Sequence, residues 1–190
     1  MEIRSWAESQ VPPSLRAQVV ELQEQVWPST DPAAVGAGHD PALRPVSMLL
    51  VEDQTVLAAL DILSKDITHA GQRYAASGLA NVVTDPALRR KGHGGRLVDA
   101  ARLAIRESGA DLGIFTCDRH LQGFYERAGW SALPGAVLIG GTPDEPFPSN
   151  ADGFDKVVMA EFFTERARQH AASFRHARIE LYPGAIDKLW

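Results

Sequence analysis

A glycine-rich, positively charged segment between Val82 and Arg96 has the residue types that bind an anion. It reads Val-Val-Thr-Asp-Pro-Ala-Leu-Arg-Arg-Lys-Gly-His-Gly-Gly-Arg. An apolar strand is predicted to end here and an amphipathic helix to begin, so backbone N–H groups without intrahelical acceptors converge on one point. Glycine lets the backbone approach a phosphate closely, and the neighbouring cations add positive charge. The segment therefore predicts a site for a phosphate or pyrophosphate group.

Two common phosphate-binding motifs do not fit this segment. The chain contains no Gly-x-x-x-x-Gly-Lys-Ser/Thr, and the glycines do not follow Gly-x-Gly-x-x-Gly, which disfavours a nucleotide triphosphatase and a dinucleotide-binding fold. What does match is Arg-x-x-Gly-x-Gly, formed by Arg89, Gly92 and Gly94. Alone, this pattern would also suit a charged helix start that serves only as a turn, so the surrounding elements decide its meaning.

The N-terminal half predicts a helix followed by antiparallel strands. The helix is indicated by one apolar stripe of Leu15, Val19, Leu22 and Val26. A Pro- and Gly-rich loop over residues 27–45, with room for a short helix, comes next. Strands are then expected at residues 46–51, 56–63, 67–69, 74–76 and 79–84. The Asp85-Pro86 pair ends the last strand, because proline cannot donate to a β-ladder.

The C-terminal half predicts alternating strands and helices. From Gly92 an apolar stripe with helical period runs until Ser108-Gly109, and a strand is expected at residues 112–116. Asp118 is placed to cap the next helix, which carries Tyr125 on its core-facing side. Strands at residues 136–139 and 156–163 are expected to flank a polar loop over 140–155, and a last helix over 164–177 to precede the tail.

Taken in order, these parts resemble the GNAT acetyltransferases. The recurring parts of that family are a strand, the Arg-x-x-Gly-x-Gly loop, a helix, and a later Tyr-x-x-x-Gly-aromatic segment, which here is Tyr125, Gly129 and Trp130. The resemblance implies an α+β (α/β) fold whose mixed, mostly antiparallel central sheet has helices on both faces. It implies one acetyltransferase domain over residues 1–190, with residues 164–190 as a helix plus tail. The implied activity is acetyl transfer from acetyl-CoA, a co-substrate, to a primary amine of a small polar molecule.

The resemblance also assigns candidate residues around acetyl-CoA. It implies cofactor binding by the strand end and the loop, at Val82, Val83, Thr84, Arg89, Arg90, Lys91, Gly92, His93, Gly94 and Gly95. In the family, a tyrosine at the place of Tyr125 lies near the cofactor sulfur and is proposed to protonate the leaving thiolate. A phenol with a pKa of about 10 can act as such a general acid. Packing alone would also explain an aromatic residue at this position.

Among GNAT families, the chain is most similar to the aminoglycoside 2'-N-acetyltransferases. The similar parts are the hairpin leading into Val82, the Gly-aromatic end of the Tyr125 helix, the Asp152-Gly153 loop and a tail that closes on a tryptophan. The likeness implies an aminoglycoside as a candidate acceptor and antibiotic resistance as a candidate role. It implies substrate binding by Asn81, Asp152, Asp187 and Trp190, the last through its terminal carboxylate.

The chain departs from those enzymes at the general base. They carry a glutamate on the strand before the loop, and Ala80 stands in the corresponding place here. An amine must lose a proton before it attacks, so another group has to accept it. Asp144, Glu145 and Asp155 are further candidates for the substrate region, although solvation explains their charges equally well.

Composition and charge narrow the class of protein. The formal net charge of -5 argues against a nucleic-acid binder and suits a cationic substrate. No apolar run approaches the roughly 18 residues of a membrane span, and the N-terminus lacks a signal-peptide pattern. We therefore expect a cytoplasmic protein with a small-molecule amine as partner and without nucleic-acid or membrane partners; homodimerisation is left open.

The cysteine and the histidines do not predict a reactive thiol or a metal site. Cys117 has no companion His-Asp pattern and is expected to be a small buried residue. The histidines show no metal-ligand spacing, so no metal is expected, and His93 is expected to contribute its backbone N–H to the loop.

Two other functions remain open at this point. A non-catalytic acetyl-CoA-binding sensor would keep the cofactor loop and lose the base, which is the departure seen at Ala80. A protein or peptide N-acetyltransferase would need an open groove for a chain. Turnover on a small amine would exclude the sensor function. The shape of the acceptor side would show whether a groove for a peptide is present.

Overall fold

The structure, a computed structural model, describes residues 1–32, 35–154 and 156–190. Its helices are α1 (Pro13–Val26), α2 (His93–Glu107), α3 (Gln122–Arg127) and α4 (Glu165–His170). Its strands are β1 (Glu2–Ala7), β2 (Val46–Glu52), β3 (Thr55–His69), β4 (Gln72–Thr84), β5 (Leu112–Asp118), β6 (Ser131–Ala132), β7 (Val137–Gly141), β8 (Pro146–Pro148), β9 (Lys156–Phe162) and β10 (Arg178–Glu180).

A mixed sheet of seven strands, in the order β1-β2-β3-β4-β5-β9-β6, forms the centre of the fold. Strands β1 to β4 form an antiparallel meander, β4 and β5 are parallel, and β9 is antiparallel to both β5 and β6. The long β3–β4 hairpin turns at Ala70 and Gly71, whose φ angles of 47° and 74° are positive, as a two-residue hairpin loop requires. The predicted mixed, mostly antiparallel sheet is confirmed.

Helices cover both faces of this sheet because its inner strands are apolar on both sides. Along β2, Leu49 and Val51 pack in the cluster that contains Leu15 of α1, whereas Leu50 packs in the cluster that contains Leu97 of α2. Successive strand residues point to opposite faces, so the continuous apolar run of β2 supplies both cores. The predicted helical stripes of α1 and α2 are confirmed by this packing.

Strands β4 and β5 pair over a short stretch and then part. Within the described residues, their register consists of Ala76 opposite Leu112 and Ser77 opposite Gly113. Further along β4, the register with β3 shifts near Asp61, and Asn81 has a φ of 51°. A β-bulge of this kind bends its strand and redirects a side chain. A cleft therefore opens between the ends of β4 and β5.

A second sheet of three strands, in the order β10-β7-β8, carries the C-terminal tail. The tail runs back along β7, where the N–H of Gly141 donates to the carbonyl of Lys188 at 2.8 Å. A Cβ atom at Gly140 would stand 1.6 Å from that carbonyl oxygen, so a larger residue would block the tail. The Lys65 Nζ of β3 donates to the Tyr182 carbonyl at 2.7 Å and ties the tail to the main sheet.

Some element predictions for the N-terminal half were wrong. Strand β1 was not predicted, although it pairs with β2 along its whole length. The strand expected at residues 67–69 is the end of one long β3, and those at 74–76 and 79–84 form one β4. The short helix allowed in the 27–45 loop is a 3₁₀ turn at Pro41–Leu43. When strand-forming residues continue without a clear polar interruption, the alternation of side chains does not show where a long strand ends.

The C-terminal half needed further corrections. The strands predicted on either side of the 140–155 loop belong to different sheets, and that loop contains β8. The predicted last helix is shorter, because α4 passes into a 3₁₀ turn at Ala171–Phe174 and then into β10. Asp118 does not cap the next helix; its carboxylate accepts from Lys156 Nζ at 2.6 Å across β5 and β9.

Candidate active site

The predicted cofactor side of the site is the stretch of backbone that connects β4 to α2. The Asp85 side chain accepts from the Ala87 N–H at 2.8 Å and shapes the turn after β4. Gly92 then takes the left-handed conformation, with a φ of 86°, directly before α2. Intrahelical bonding begins where the Arg96 N–H donates to the Gly92 carbonyl at 3.0 Å. The N–H groups of the three residues between them have no intrahelical acceptor, which makes this helix start a site for anions.

The start of α2 lies unusually close to the end of β4. A Cβ atom at Gly94 would stand 2.7 Å from Thr84 Oγ1 and 3.4 Å from the Phe124 ring. Since real Cβ atoms do not approach other atoms within 3 Å, Gly94 is required for this contact. The structure thus brings the predicted strand end, Val82, Val83 and Thr84, next to the predicted glycines.

The predicted cations surround this helix start from the solvent side. Arg89, Arg90 and Lys91 are exposed, and His93 and Gly95 are half-buried. Arg90 has a φ of 65°, so the backbone turns sharply just before Gly92. Exposed cations beside bare N–H groups can neutralise a bound phosphate.

Tyr125 of α3 is buried among aromatic rings. Its ring lies edge-on to Phe115 and Phe124, at centroid distances of 5.0 and 4.9 Å. Burial, with smaller contributions from Cys117 and Asp118, raises the pKa of the Tyr125 hydroxyl above its ordinary value. The phenol therefore keeps its proton throughout the neutral range. The predicted core-facing position is confirmed, and the general-acid role stays a prediction.

Cys117 is a buried thiol beside this tyrosine. Burial, assisted by Asp118, raises the pKa of the Cys117 thiol to about 11. A thiol with so high a pKa carries little thiolate at neutral pH and is a poor nucleophile. This fits the expected small buried residue.

Trp190 occupies the cleft where β4 and β5 part. Its indole Nε1 donates to the Ile114 carbonyl at 2.8 Å, and its main-chain oxygen accepts from the Thr116 N–H at 3.2 Å. A Cβ atom at Gly78 of β4 would stand 2.5 Å from the indole nitrogen, so glycine is needed there. The tail thus supplies the edge of β5 with the hydrogen bonds that β4 no longer provides.

Asp187 and Asn81 belong to a chain of neighbouring polar side chains that also includes His39 and Asp61. His39 Nδ1 lies 2.5 Å from Asp187 Oδ1, and His39 Nε2 lies 3.1 Å from Asp61 Oδ2. The second oxygen of Asp187 accepts from the Asp40 N–H at 3.1 Å. Asn81 Nδ2 is 3.4 Å from Asp61 Oδ2 and 3.2 Å from His39 Nε2. Residues from four separate segments therefore converge beside the β4 bulge.

The two carboxylates keep His39 charged. Burial opposes the charge, but hydrogen bonds to Asp187 and Asp61 outweigh it and raise the pKa of His39 from 6.5 to about 10. Burial also opposes the charge of Asp187, but the hydrogen bonds from His39 and the Asp40 N–H lower the pKa of that carboxyl. At neutral pH the cluster is therefore an imidazolium between two carboxylates.

A comparison of the sequence with models of known protein families identifies the family of this chain. The model of the acetyltransferase (GNAT) domain matches residues 8–133, a stretch that contains the β4–α2 segment, Tyr125 and most of the main sheet. The chain belongs to the GNAT acetyltransferase family. It is therefore an acetyl-CoA-dependent acyltransferase by family. No curated protein sequence matches the chain significantly.

Solved structures share the GNAT fold at low sequence identity. ElaA of Escherichia coli matches with a TM-score of 0.61 and 19% identity, over 84% of this chain and 98% of that chain. An aminoglycoside 6'-N-acetyltransferase complexed with coenzyme A matches with a TM-score of 0.63 and 16% identity, over 87% and 99%. An acyl-CoA N-acyltransferase of Pseudomonas aeruginosa matches with a TM-score of 0.56 and 17% identity, over 84% and 98%. These likenesses establish the fold, and the finer likeness to 2'-N-acetyltransferases stays a prediction.

Other predicted residues of this GNAT chain lie apart from the converging cluster. Asp152 is exposed in the loop between β8 and β9, and within the described residues no hydrogen bond joins it to Asn81, Asp187 or Trp190. Asp144 and Glu145 are exposed as well, and Asp155 lies outside the described residues. Ala80 is half-buried against the core.

Sequence reasoning missed His39 and Asp61 as parts of the site. Asp61 sits in a strand that otherwise reads as apolar, and its Oδ1 accepts from Ser47 Oγ at 2.6 Å. A lone aspartate inside an apolar strand is the signal that could have marked it, because an unpaired buried carboxylate is costly. His39 carries no such signal, since its partner Asp187 is distant in sequence.

A small polar cavity lies behind Asn81, between α1 and the sheet. Its volume is about 30 Å³, and its polar lining includes Glu8, Arg16, Ser47, Asp61 and Asn81. Burial, with a contribution from the charge of Asp61, raises the pKa of the Glu8 carboxyl in spite of nearby His39. A polar space of this size can hold about one or two waters.

Among the helices of the described ranges, none has the length and apolar character needed to cross a membrane.

Proposed function

We propose that this GNAT chain is an N-acetyltransferase that moves the acetyl group of acetyl-CoA to a primary amine of a small polar molecule. The observation that carries the proposal is the juxtaposition of two features, a β4 end that parts from β5 and a bare α2 N-terminus in contact with it. These two adjacent stretches of backbone could bind a phosphate group and an extended linker. We further propose that residues 1–190 act as one domain.

Each part of the cofactor side has a distinct binding role in this proposal. The N–H groups at the start of α2 bind the pyrophosphate, and Arg89, Arg90 and Lys91 neutralise its charge. The backbone of Val82, Val83 and Thr84 faces the cleft and binds the pantetheine arm. Acetyl-CoA supplies an activated thioester, which is the source of the acetyl group.

The chain's own residues then align the reactants and move protons. A neutral amine attacks the acetyl carbon, a C–N bond forms, the C–S bond breaks, and the proton that the nitrogen loses passes to water. Tyr125 donates its proton to the departing sulfur, because burial raises its pKa and keeps the phenol protonated at neutral pH, and it regains a proton from water after the transfer. Holding the reactants in line supplies much of the expected rate enhancement.

The acceptor side favours a small cationic molecule over a peptide. Trp190 covers the edge of β5 that an extended peptide would otherwise pair with. Beneath the exposed Asn81 side chain, the carboxylates of Glu8, Asp61 and Asp187 outnumber the cations of His39 and Arg16 that pair with them. Aminoglycosides are polycationic amines, and solved structures with this fold include aminoglycoside 6'-N-acetyltransferases. We propose an aminoglycoside as one candidate acceptor on this basis.

A thiol-release assay tests the proposal. Acetyl-CoA would be combined with a panel of tobramycin, kanamycin, spermidine, single amino acids and short peptides, and acetyl-CoA binding would be measured in parallel by calorimetry. We expect binding and thiol release with at least one small amine. Failure to bind acetyl-CoA would reject the proposal outright.

The sensor function remains the second candidate because Ala80 leaves β4 without the expected carboxylate. It predicts tight acetyl-CoA binding with no thiol release on any amine of the panel. Thiol release on an aminoglycoside or on spermidine would exclude it.

A further inference from the structure

The Asp61–His39–Asp187 cluster is buried in a way that the acetyl-transfer chemistry does not require. The exposed fractions of the side chains are 7% for His39, 8% for Asp61 and 9% for Asp187. Burying three charges costs desolvation free energy, and apolar side chains of similar size usually hold two segments together at least as well. The presence of charged side chains where apolar ones would serve therefore suggests a role other than stability.

The cluster joins three elements of the acceptor side. His39 belongs to the loop before β2, Asp61 to β3, and Asp187 to the tail just before Trp190. On the tail side, the chain continues through the Lys188 contact with β7 to the Trp190 contacts with β5. On the sheet side, Asp61 accepts from the Asn81 side chain at the β4 bulge. One imidazole thus connects the tail with the bulge.

We propose that His39 is a positioning residue for the acceptor amine: by bridging Asp61 and Asp187 it holds the tail and the Asn81 side chain in place and so sets acceptor affinity but not acetyl-CoA affinity. The proposal rests on the proposed N-acetyltransferase function. His39 need not touch either reactant, since it acts through the residues that it holds.

The charges around His39 explain why it cannot be replaced by a neutral residue without loss. Asp61 faces it from β3 and Asp187 from the tail, while Glu8 accepts from its backbone N–H at 3.1 Å. Arg16 of α1 lies 3.8 Å from the Glu8 carboxylate. Without the imidazolium, Asp61 and Asp187 become like charges in a nearly dry site and repel each other. The tail around Asp187 is then held less firmly against β3.

The closing experiment compares His39→Gln with wild type and with His170→Gln, which replaces an exposed histidine of α4 as a matched control. Hydrogen–deuterium exchange would follow the 183–190 peptide and the Thr116 amide. Steady-state kinetics would give KM for the best amine of the panel and kcat, and calorimetry would give the Kd for acetyl-CoA.

For His39→Gln we expect exchange of the tail and of Thr116 to rise about tenfold or more, because a buried pair that loses one partner is strongly destabilised. The amine KM should rise by a similar factor while the acetyl-CoA Kd stays within about twofold, since the proposed contacts of that ligand are with the backbone at the end of β4 and the start of α2 and not with His39 or the tail. The double variant His39→Gln, Asp187→Asn should recover part of the tail protection, because it removes one of the uncompensated charges.

Two results would overturn the proposal. One is tail exchange in His39→Gln equal to that of wild type and His170→Gln. The other is faster tail exchange with an unchanged amine KM, which would leave His39 a structural role alone. Failure of the proposed function shows itself differently, as no thiol release by wild type with any amine; the tail arm then still decides whether His39 holds the tail.

Discussion

The two sides of the cleft are built by different means. The proposed cofactor side uses backbone from one continuous stretch, in which Gly92 takes a left-handed conformation and Gly94 allows the close approach of α2 to β4. The proposed acceptor side uses side chains from separate segments, with His39, Asp61 and Asp187 joined by hydrogen bonds. The difference suggests that the cofactor side is fixed locally and the acceptor side only by long-range packing. Mutations should therefore affect the two sides separately.

The largest effect is expected from removing one hydroxyl on the cofactor side. Tyr125→Phe should lower kcat about 100-fold or more, because general acid catalysis typically contributes that much. The acetyl-CoA Kd should change little, since the aromatic packing with Phe115 remains. Stopped-flow or steady-state thiol release measures this.

Tyr74→Phe is the matched control for that variant. The Tyr74 hydroxyl is also buried and has no hydrogen-bond partner among the described residues. Its loss should leave turnover unchanged. Equal turnover in wild type and Tyr125→Phe would remove Tyr125 from the mechanism.

The next effect is expected from filling the gap at Gly94. In Gly94→Ala the new Cβ would stand 2.7 Å from Thr84 Oγ1, so the helix start must move away from β4. A displacement of this kind can cost about 100-fold in binding or rate. The acetyl-CoA Kd from calorimetry should rise accordingly, and adding Thr84→Ala should restore part of it. No recovery in the double variant would mean that this contact does not set the geometry.

A smaller effect is expected from Gly92→Ala, which forces a left-handed residue at the start of α2. The φ of 86° costs a non-glycine residue roughly 1–2 kcal/mol, which corresponds to a loss of about tenfold in acetyl-CoA affinity if the loop relaxes. Gly71→Ala is the control, because Gly71 has a φ of 74° and equally open surroundings in the β3–β4 turn. Both variants should lose stability, and only Gly92→Ala should lose affinity. Equal affinities would argue against a binding role for this turn.

The last effect is on stability as a function of pH, and it belongs to the proposed acceptor side. The pKa of His39 rises from 6.5 to about 10 on folding, so its ion pairs stabilise the fold fully below pH 6.5 and that contribution is lost as the pH climbs through 10. The pKa of Asp187 falls below 3.8, so its contribution is present above pH 3.8 and lost as the pH falls further.

Thermal unfolding of wild type and His39→Gln across pH 4 to 10 measures this effect, in the window set by those pKa values. The difference in Tm should be largest between pH 4 and 6.5 and should shrink toward pH 10. A difference that does not depend on pH would indicate that His39 stabilises the fold by packing alone.

Prediction from the sequence succeeded for elements whose apolar periodicity lies within one short segment. The helix after Gly92 and the hairpin of β2 and β3 were predicted from apolar spacing, and both are confirmed. It failed at β1, where a short amphipathic strand carries little signal, and at Asp118, where an ion pair with Lys156 takes the place of a helix cap. The Asp118 carboxylate could have accepted from a helix N–H group or from a cation, and the partner that it takes is the Lys156 ammonium.

The sequence by itself determined the motif that identifies this GNAT protein. Arg89, Gly92 and Gly94 lie within six consecutive residues, and their backbone conformations depend on neighbouring residues. Only the tertiary structure decided that His39 meets Asp187 and that Trp190 enters the β4–β5 cleft. Those contacts join residues far apart in the chain, and neither a periodicity nor a motif encodes which buried charge finds which partner.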